Sequence, residues 1–205
     1  MRVNLKSWAQ PRVGQLVAAG VVSLSLGCGG GVAPPALNPS DAAAQAIAEY
    51  DSDGSGSLSQ EEVAKCPAIA ELFAQYDADG SGEVSPDEIK GRFEQLKGAG
   101  VGLTSFVCDV SKGGRPLSNV TVRMTPEPFM GGALPAASGV TDGSGRAEMS
   151  VEPEALPKDW GGAGAVAPGI YRIEIDHPEA AASGDLFGAE VNPIRRGGDR
   201  ASINL

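Results

Sequence analysis

Two stretches of this chain set oxygen-bearing side chains at alternate positions. DSDGSGSLSQEE fills residues 51–62 and DADGSGEVSPDE fills residues 77–88. In register, Asp51 matches Asp77, Asp53 matches Asp79, Ser55 matches Ser81, and Glu62 matches Glu88. Short carboxylates and hydroxyls spaced by two can turn inward from one tightly wound loop, and a longer Glu can close the ring from its far end. A hard divalent cation takes six to eight oxygens at about 2.3–2.6 Å, so the chemistry this pattern suits is cation coordination. Gly56 and Gly82 stand sixth, where the chain must reverse through a positive φ. The seventh residues, Ser57 and Glu83, would offer backbone carbonyls, which leaves their side chains free to differ. The apolar eighth residues, Leu58 and Val84, point away from the ion. One such run could equally be an Asx-rich surface turn; two runs in the same register argue against that.

Loops of this kind need helices to hold their ends. Ala43, Ala46, Ile47 and Tyr50 fall on one helical face before the first loop, and Ile69, Leu72, Phe73 and Tyr76 on another before the second. Ile89, Phe93 and Leu96 follow the second loop at the same spacing. Ser85-Pro86-Asp87-Glu88 reads as a helix start, and Ser40-Asp41 as a cap for the first helix. Both loops, with their flanks, resemble the EF-hand calcium loop. The resemblance implies two Ca²⁺ ions, with ligands from Asp51, Asp53, Ser55, Ser57 and Glu62 and from Asp77, Asp79, Ser81, Glu83 and Glu88. It also implies that Leu58 and Val84 pair in a short antiparallel contact. Dockerins share duplicated calcium loops, but the terminal Glu62 and Glu88 and the leading apolar faces favour ordinary EF-hands. Only residues 63–76 separate the loops, and Pro67 interrupts them, so the intervening helices must be short. A compact pair of this kind suits a structural or buffering role better than a sensor. Three side-chain carboxylates per site imply moderate affinity.

After LKGAGVG (96–102) the apolar period changes from helical to alternating. Val120, Val122 and Met124 alternate with polar residues, as do Ala147, Met149 and Val151, and Tyr171, Ile173 and Ile175. LTSFVCDV (103–110) and ASINL (201–205) read as further strands, while 177–200 yields only loops and a strand or two. The turns TDGSG and PGIY, with the strands they enter, resemble a carboxypeptidase-regulatory-like domain of the transthyretin-like type across about residues 101–176. The expected fold class is α+β: a small helical EF-hand pair followed by an all-β, seven-stranded sandwich. The corresponding domains are the pair at 41–97, a hinge at 98–102 and the sandwich at 103–205.

The N-terminus reads as targeting. Arg2, Lys6 and Arg12 precede an uncharged apolar run over 13–27, too short to span a bilayer comfortably. Leu24-Ser25-Leu26-Gly27-Cys28 resembles a bacterial lipoprotein signal, which implies cleavage of 1–27, lipid on Cys28, and a Gly/Pro-rich tether over 28–40. The expectation is an extracytoplasmic, membrane-anchored protein, or a secreted or periplasmic one if a cut elsewhere leaves it unlipidated. With 26 acidic against 16 basic residues the net charge is −10, which argues against a nucleic-acid partner. Cys66 and Cys108 each occupy an apolar position and are expected as two buried thiols rather than a bridge. Catalysis finds little to work with. Hydrolases on the transthyretin-like scaffold need several histidines; this chain has one, His177, expected as an exposed loop residue. Trp160 is expected to pack over one end of the sandwich. A non-enzymatic role follows, with a protein or envelope polymer as a possible partner of the β half; a displayed calcium sensor or buffer, or an accessory subunit of an envelope enzyme, is the alternative.

Overall fold

The computed structural model describes residues 32–156, 164–178, 180, 185–195 and 199–205. Cys28, the leader and Trp160 lie outside them.

Helix α1 (Pro39–Tyr50) starts at Asn38, whose side-chain oxygen accepts from the Ser40 and Asp41 amides at 3.1 and 3.5 Å. The cap therefore comes two residues before the Ser40-Asp41 pair, because Pro39 suits the first helical turn and hands the capping position to Asn38. Three single-turn helices follow: α2 (Gln60–Val63), α3 (Pro67–Ala70) and α4 (Phe73–Tyr76). Pro67 opens α3 and Leu72, outside helical geometry, breaks it from α4. Ile69 and Tyr76 are buried, but Leu72 and Phe73 are only half-buried, so the continuous apolar face expected before the second loop is split. Helix α5 (Pro86–Gly98) buries Ile89, Phe93 and Leu96.

Among the described residues, eight strands form one hydrogen-bonded sheet: β1 (Phe106–Lys112), β2 (Arg115–Pro116), β3 (Thr121–Pro126), β4 (Ala137–Val140), β5 (Arg146–Val151), β6 (Gly169–Asp176), β7 (Phe187–Val191) and β8 (Asp199–Asn204). The order runs β2-β1-β5-β4-β3-β6-β7, with β8 also on β1. All pairings are antiparallel except β1 with β8, which run parallel from Phe106 opposite Asp199 to Ser111 opposite Asn204. The sheet curls until β7 and β8, far apart in the order, approach each other. The α+β class is as the patterning indicates, with one strand more than the seven counted from sequence. His177 follows β6 and is half-buried rather than exposed.

Helices and sheet share a continuous buried core, from Ala42 and Ala46 on α1 to Met149 on β5 and Ile203 on β8. A 3₁₀ turn, Pro128–Met130, carries Phe129 into the helices. Its ring meets Tyr50 edge-on and stacks on Phe93, with centroids 6.1 Å apart in both cases. Offset and edge contacts of this sort add about 0.5–1.5 kcal/mol beyond simple burial. On the other side α3 lies on β7.

Candidate metal centre

Each loop is bounded by a helix that ends just before it and a helix that its own residues start. Ser59 accepts from the Glu62 amide while Glu62 accepts from the Ser59 amide, a reciprocal cap that opens α2. Ser85 and Glu88 open α5 in the same way. The twelfth residue is thus fixed by the helix it begins, and its carboxylate is turned back toward the loop. Glu62 Oε1 accepts from the amides of Ser52 and Asp53 at 2.6 and 3.3 Å, and Glu88 Oε1 from those of Ala78 and Asp79 at 2.8 and 3.2 Å.

The remaining oxygens converge in matching fashion. Asp51 takes the Gly54 and Gly56 amides at 2.7 and 2.9 Å, and Asp77 takes the Gly82 amide at 3.0 Å. Asp53 and Asp79 accept from the amides of Ser55 and Ser81 at 2.8 and 2.9 Å. The Ser55 hydroxyl donates to the Ser57 carbonyl and the Ser81 hydroxyl to the Glu83 carbonyl, both at 3.1 Å, so the fifth and seventh positions meet in each loop. Gly56 and Gly82 have φ of 86° and 88°, the reversal that a side chain would resist.

Asp51, Asp53 and Glu62 bring carboxylate oxygens within 4.8 Å of one another, and so do Asp77, Asp79 and Glu88. Two oxygens on opposite sides of a calcium ion at about 2.4 Å from it stand about that far apart, so either set can share one ion. Glu62 accepts from five donors and Glu88 from four, about the full capacity of an ionised carboxylate, so an ion would take the place of some of these amides and hydroxyls. Charge is favoured as well. The backbone of Ser59, then that of Ser52, pushes the Glu62 carboxyl down to about 2. The Gly56 amide lowers Asp51, and the Ser81 hydroxyl lowers Asp79. For Glu88 burial works upward, but its donors at Ser85, Asp79 and Ala78 outweigh it and the net shift is downward. Carboxylates that stay ionised in a ring are what a hard dication requires.

The two centres also differ around the twelfth residue. Glu62 is buried and also accepts from the Ser52 hydroxyl at 3.0 Å; Ala78 occupies the equivalent place in the second loop and Glu88 is half-buried. Between the centres, Leu58 and Val84 form an antiparallel bridge and are fully buried.

The family described as EF hand matches residues 69–93. The match takes in α4, the second loop and the first part of α5, a small part of the chain. No curated protein and no solved structure matches it. The acidic clusters of both loops fit Ca²⁺, and the first loop carries the same three-carboxylate cluster as the matched one.

Sequence reasoning took Tyr50 and Tyr76 only as core residues. Each immediately precedes a loop, and each spends its hydroxyl on a buried carboxylate of the β half: Tyr50 on Glu127 Oε2 and Tyr76 on Glu190 Oε2, both at 2.9 Å. Each Glu also meets an arginine, Arg172 at 3.1 Å from Glu127 Oε2 and Arg92 at 2.8 Å, through Nε, from Glu190 Oε2. The available signal was a tyrosine at the same offset in both copies, together with acids in apolar settings, Glu190 in FGAEV and Glu127 between two prolines.

Proposed function

We propose that this protein binds two Ca²⁺ ions, one per loop, and that the ions serve to fix the helical segment in shape on the β-sheet. The observation that carries this reading is the pair of matching carboxylate clusters joined back to back through Leu58 and Val84. Asp51, Asp53, Ser55, the Ser57 carbonyl and Glu62 hold the first ion; Asp77, Asp79, Ser81, the Glu83 carbonyl and Glu88 hold the second. What the ion supplies is positive charge at a point where three carboxylates otherwise repel one another. Binding that favours the folded over the unfolded chain then adds stability in proportion to the logarithm of free calcium. The role is non-enzymatic. The basic and apolar leader and Cys28 support an exported, lipid-anchored protein, in which the β half faces an envelope or surface partner.

Calorimetric titration of the full chain tests the reading. Two ions should bind, and Glu62→Gln or Glu88→Gln should each remove one. Heats unchanged by both substitutions would refute the ligand assignment.

A further inference from the structure

The two tyrosines that end α1 and α4 are also the residues that precede the two loops, so the loops and the helix–sheet seam share a hinge at each site. The seam is built on charge. Glu127 and Glu190 are 1% and 2% exposed; Glu127 is bonded to Tyr50 and Arg172, and Glu190 to Tyr76, Arg92 and the Asn192 side-chain amide, with Arg195 at 3.7 Å. Arg92 reaches Glu190 from α5, the helix that Glu88 starts, and also lies over the Tyr76 ring at 5.7 Å. Arg172, Asn192 and Arg195 belong to the β half, so what the helices add to the two buried carboxylates is the pair of tyrosine hydroxyls and the Arg92 guanidinium. Their geometry depends on the direction in which α1 and α4 leave the loops and on where α5 begins. Asp51 follows Tyr50, Asp77 follows Tyr76, and Glu88 caps the start of α5, so candidate ligands adjoin all three helix ends.

Resting on the calcium reading above, we infer that ion occupancy controls the seam: with calcium the helices are sealed onto the sheet through Tyr50–Glu127, at the end of β3 where Glu127 is bonded to Ile170 and Arg172 of β6, and through Tyr76–Glu190 on β7, and without it they lift off, uncovering the β7 face that α3 occupies. The device is a calcium-dependent cover for one end of the sheet. The contacts are duplicated, one per loop, so each ion secures one side of the cover.

Hydrogen exchange on the full chain, with calcium and with chelator, alongside calorimetry, tests this. Amides of β6 and β7 should gain roughly tenfold or more in protection with calcium, the scale of a hydrogen bond to a charged group, while those of β2 and β4 change little. Coupling is reciprocal, so Tyr50→Phe with Tyr76→Phe should weaken calcium binding, although neither residue is a ligand. Calcium binding with β6 and β7 exchange unchanged would overturn the seam and leave the calcium reading standing. Equal gains in all strands would also overturn it, since that marks global stabilisation, and so would unchanged calcium affinity in a folded double variant. Absence of any binding heat would remove both readings together. The wild-type exchange comparison needs no variant, so it decides the matter even where the double substitution prevents folding.

Discussion

Leu58 and Val84 exchange both of their backbone hydrogen bonds, at 2.9 and 2.8 Å, and neither side chain is exposed. Each is the residue between a seventh-position carbonyl and a helix-capping serine. The bridge therefore sets the position of one loop's oxygens by reference to the other's.

Leu58→Ala should lower calcium affinity at both loops while deleting no ligand. It should also cost roughly 2–5 kcal/mol of stability, the usual range for truncating a fully buried leucine. Calorimetry reads the first effect and urea denaturation the second. An affinity loss confined to the first loop would show that the bridge is packing alone.

Much of this arrangement was legible in the sequence, because a calcium loop and an alternating strand are local patterns. The spacing of Asp51, Asp53 and Glu62 and the alternation in β3, β5 and β6 each lie within a dozen residues. Strands β2 and β4 were not legible. Arg115–Pro116 is too short to show a period, and Ala137–Val140 buries only one residue fully. Nor was the single curled sheet, which depends on β8 returning to run parallel with β1 over a long separation. The seam was hidden for a related reason. Nothing local links Tyr76 with Glu190, and a tyrosine on an apolar helical face reads as core until its hydroxyl has a partner.

At Gly188 the backbone of α3 lies against β7. A β-carbon there would stand 2.8 Å from the Ala68 amide nitrogen and 3.0 Å from the Tyr171 carbonyl, both backbone atoms that have little freedom to move. Gly188→Ala should destabilise the protein by about 1–3 kcal/mol, as overpacking commonly does. Denaturant unfolding checks the cost; a variant as stable as the parent would mean that α3 does not rest on this strand.

Cys66 and Cys108 are both buried and unbridged. Burial pushes each thiol up to about 12, so almost no thiolate is present near neutral pH. With calcium bound, neither thiol should react with an alkylating reagent in the folded protein, and both should react once it is denatured. Mass spectrometry of the labelled chain reads the outcome. Rapid labelling of Cys66 in the presence of calcium would place the helices off the sheet.

Asp199 gives the protein a pH dependence of unusual sign for a carboxylate. It accepts from the Asn192 amide and lies 3.2 Å from the Arg195 guanidinium, yet burial dominates and pushes its carboxyl up to about 6. The folded form thus holds this proton more tightly than the unfolded chain, where the value is near 3.8. Stability from this group is fully present below about pH 4, is lost as pH rises toward 6, and is level above that. The loop carboxylates act in the opposite direction, since their depressed values favour the folded state as pH rises. Comparing wild type with Asp199→Asn cancels that shared contribution. In chelator, the stability of wild type relative to the variant should fall between pH 4 and 6 and then stay constant to pH 8, as measured by urea unfolding at unit intervals. A difference that is flat across the whole range would mean that Asp199 stays ionised in the folded protein and that Arg195 compensates its burial in full.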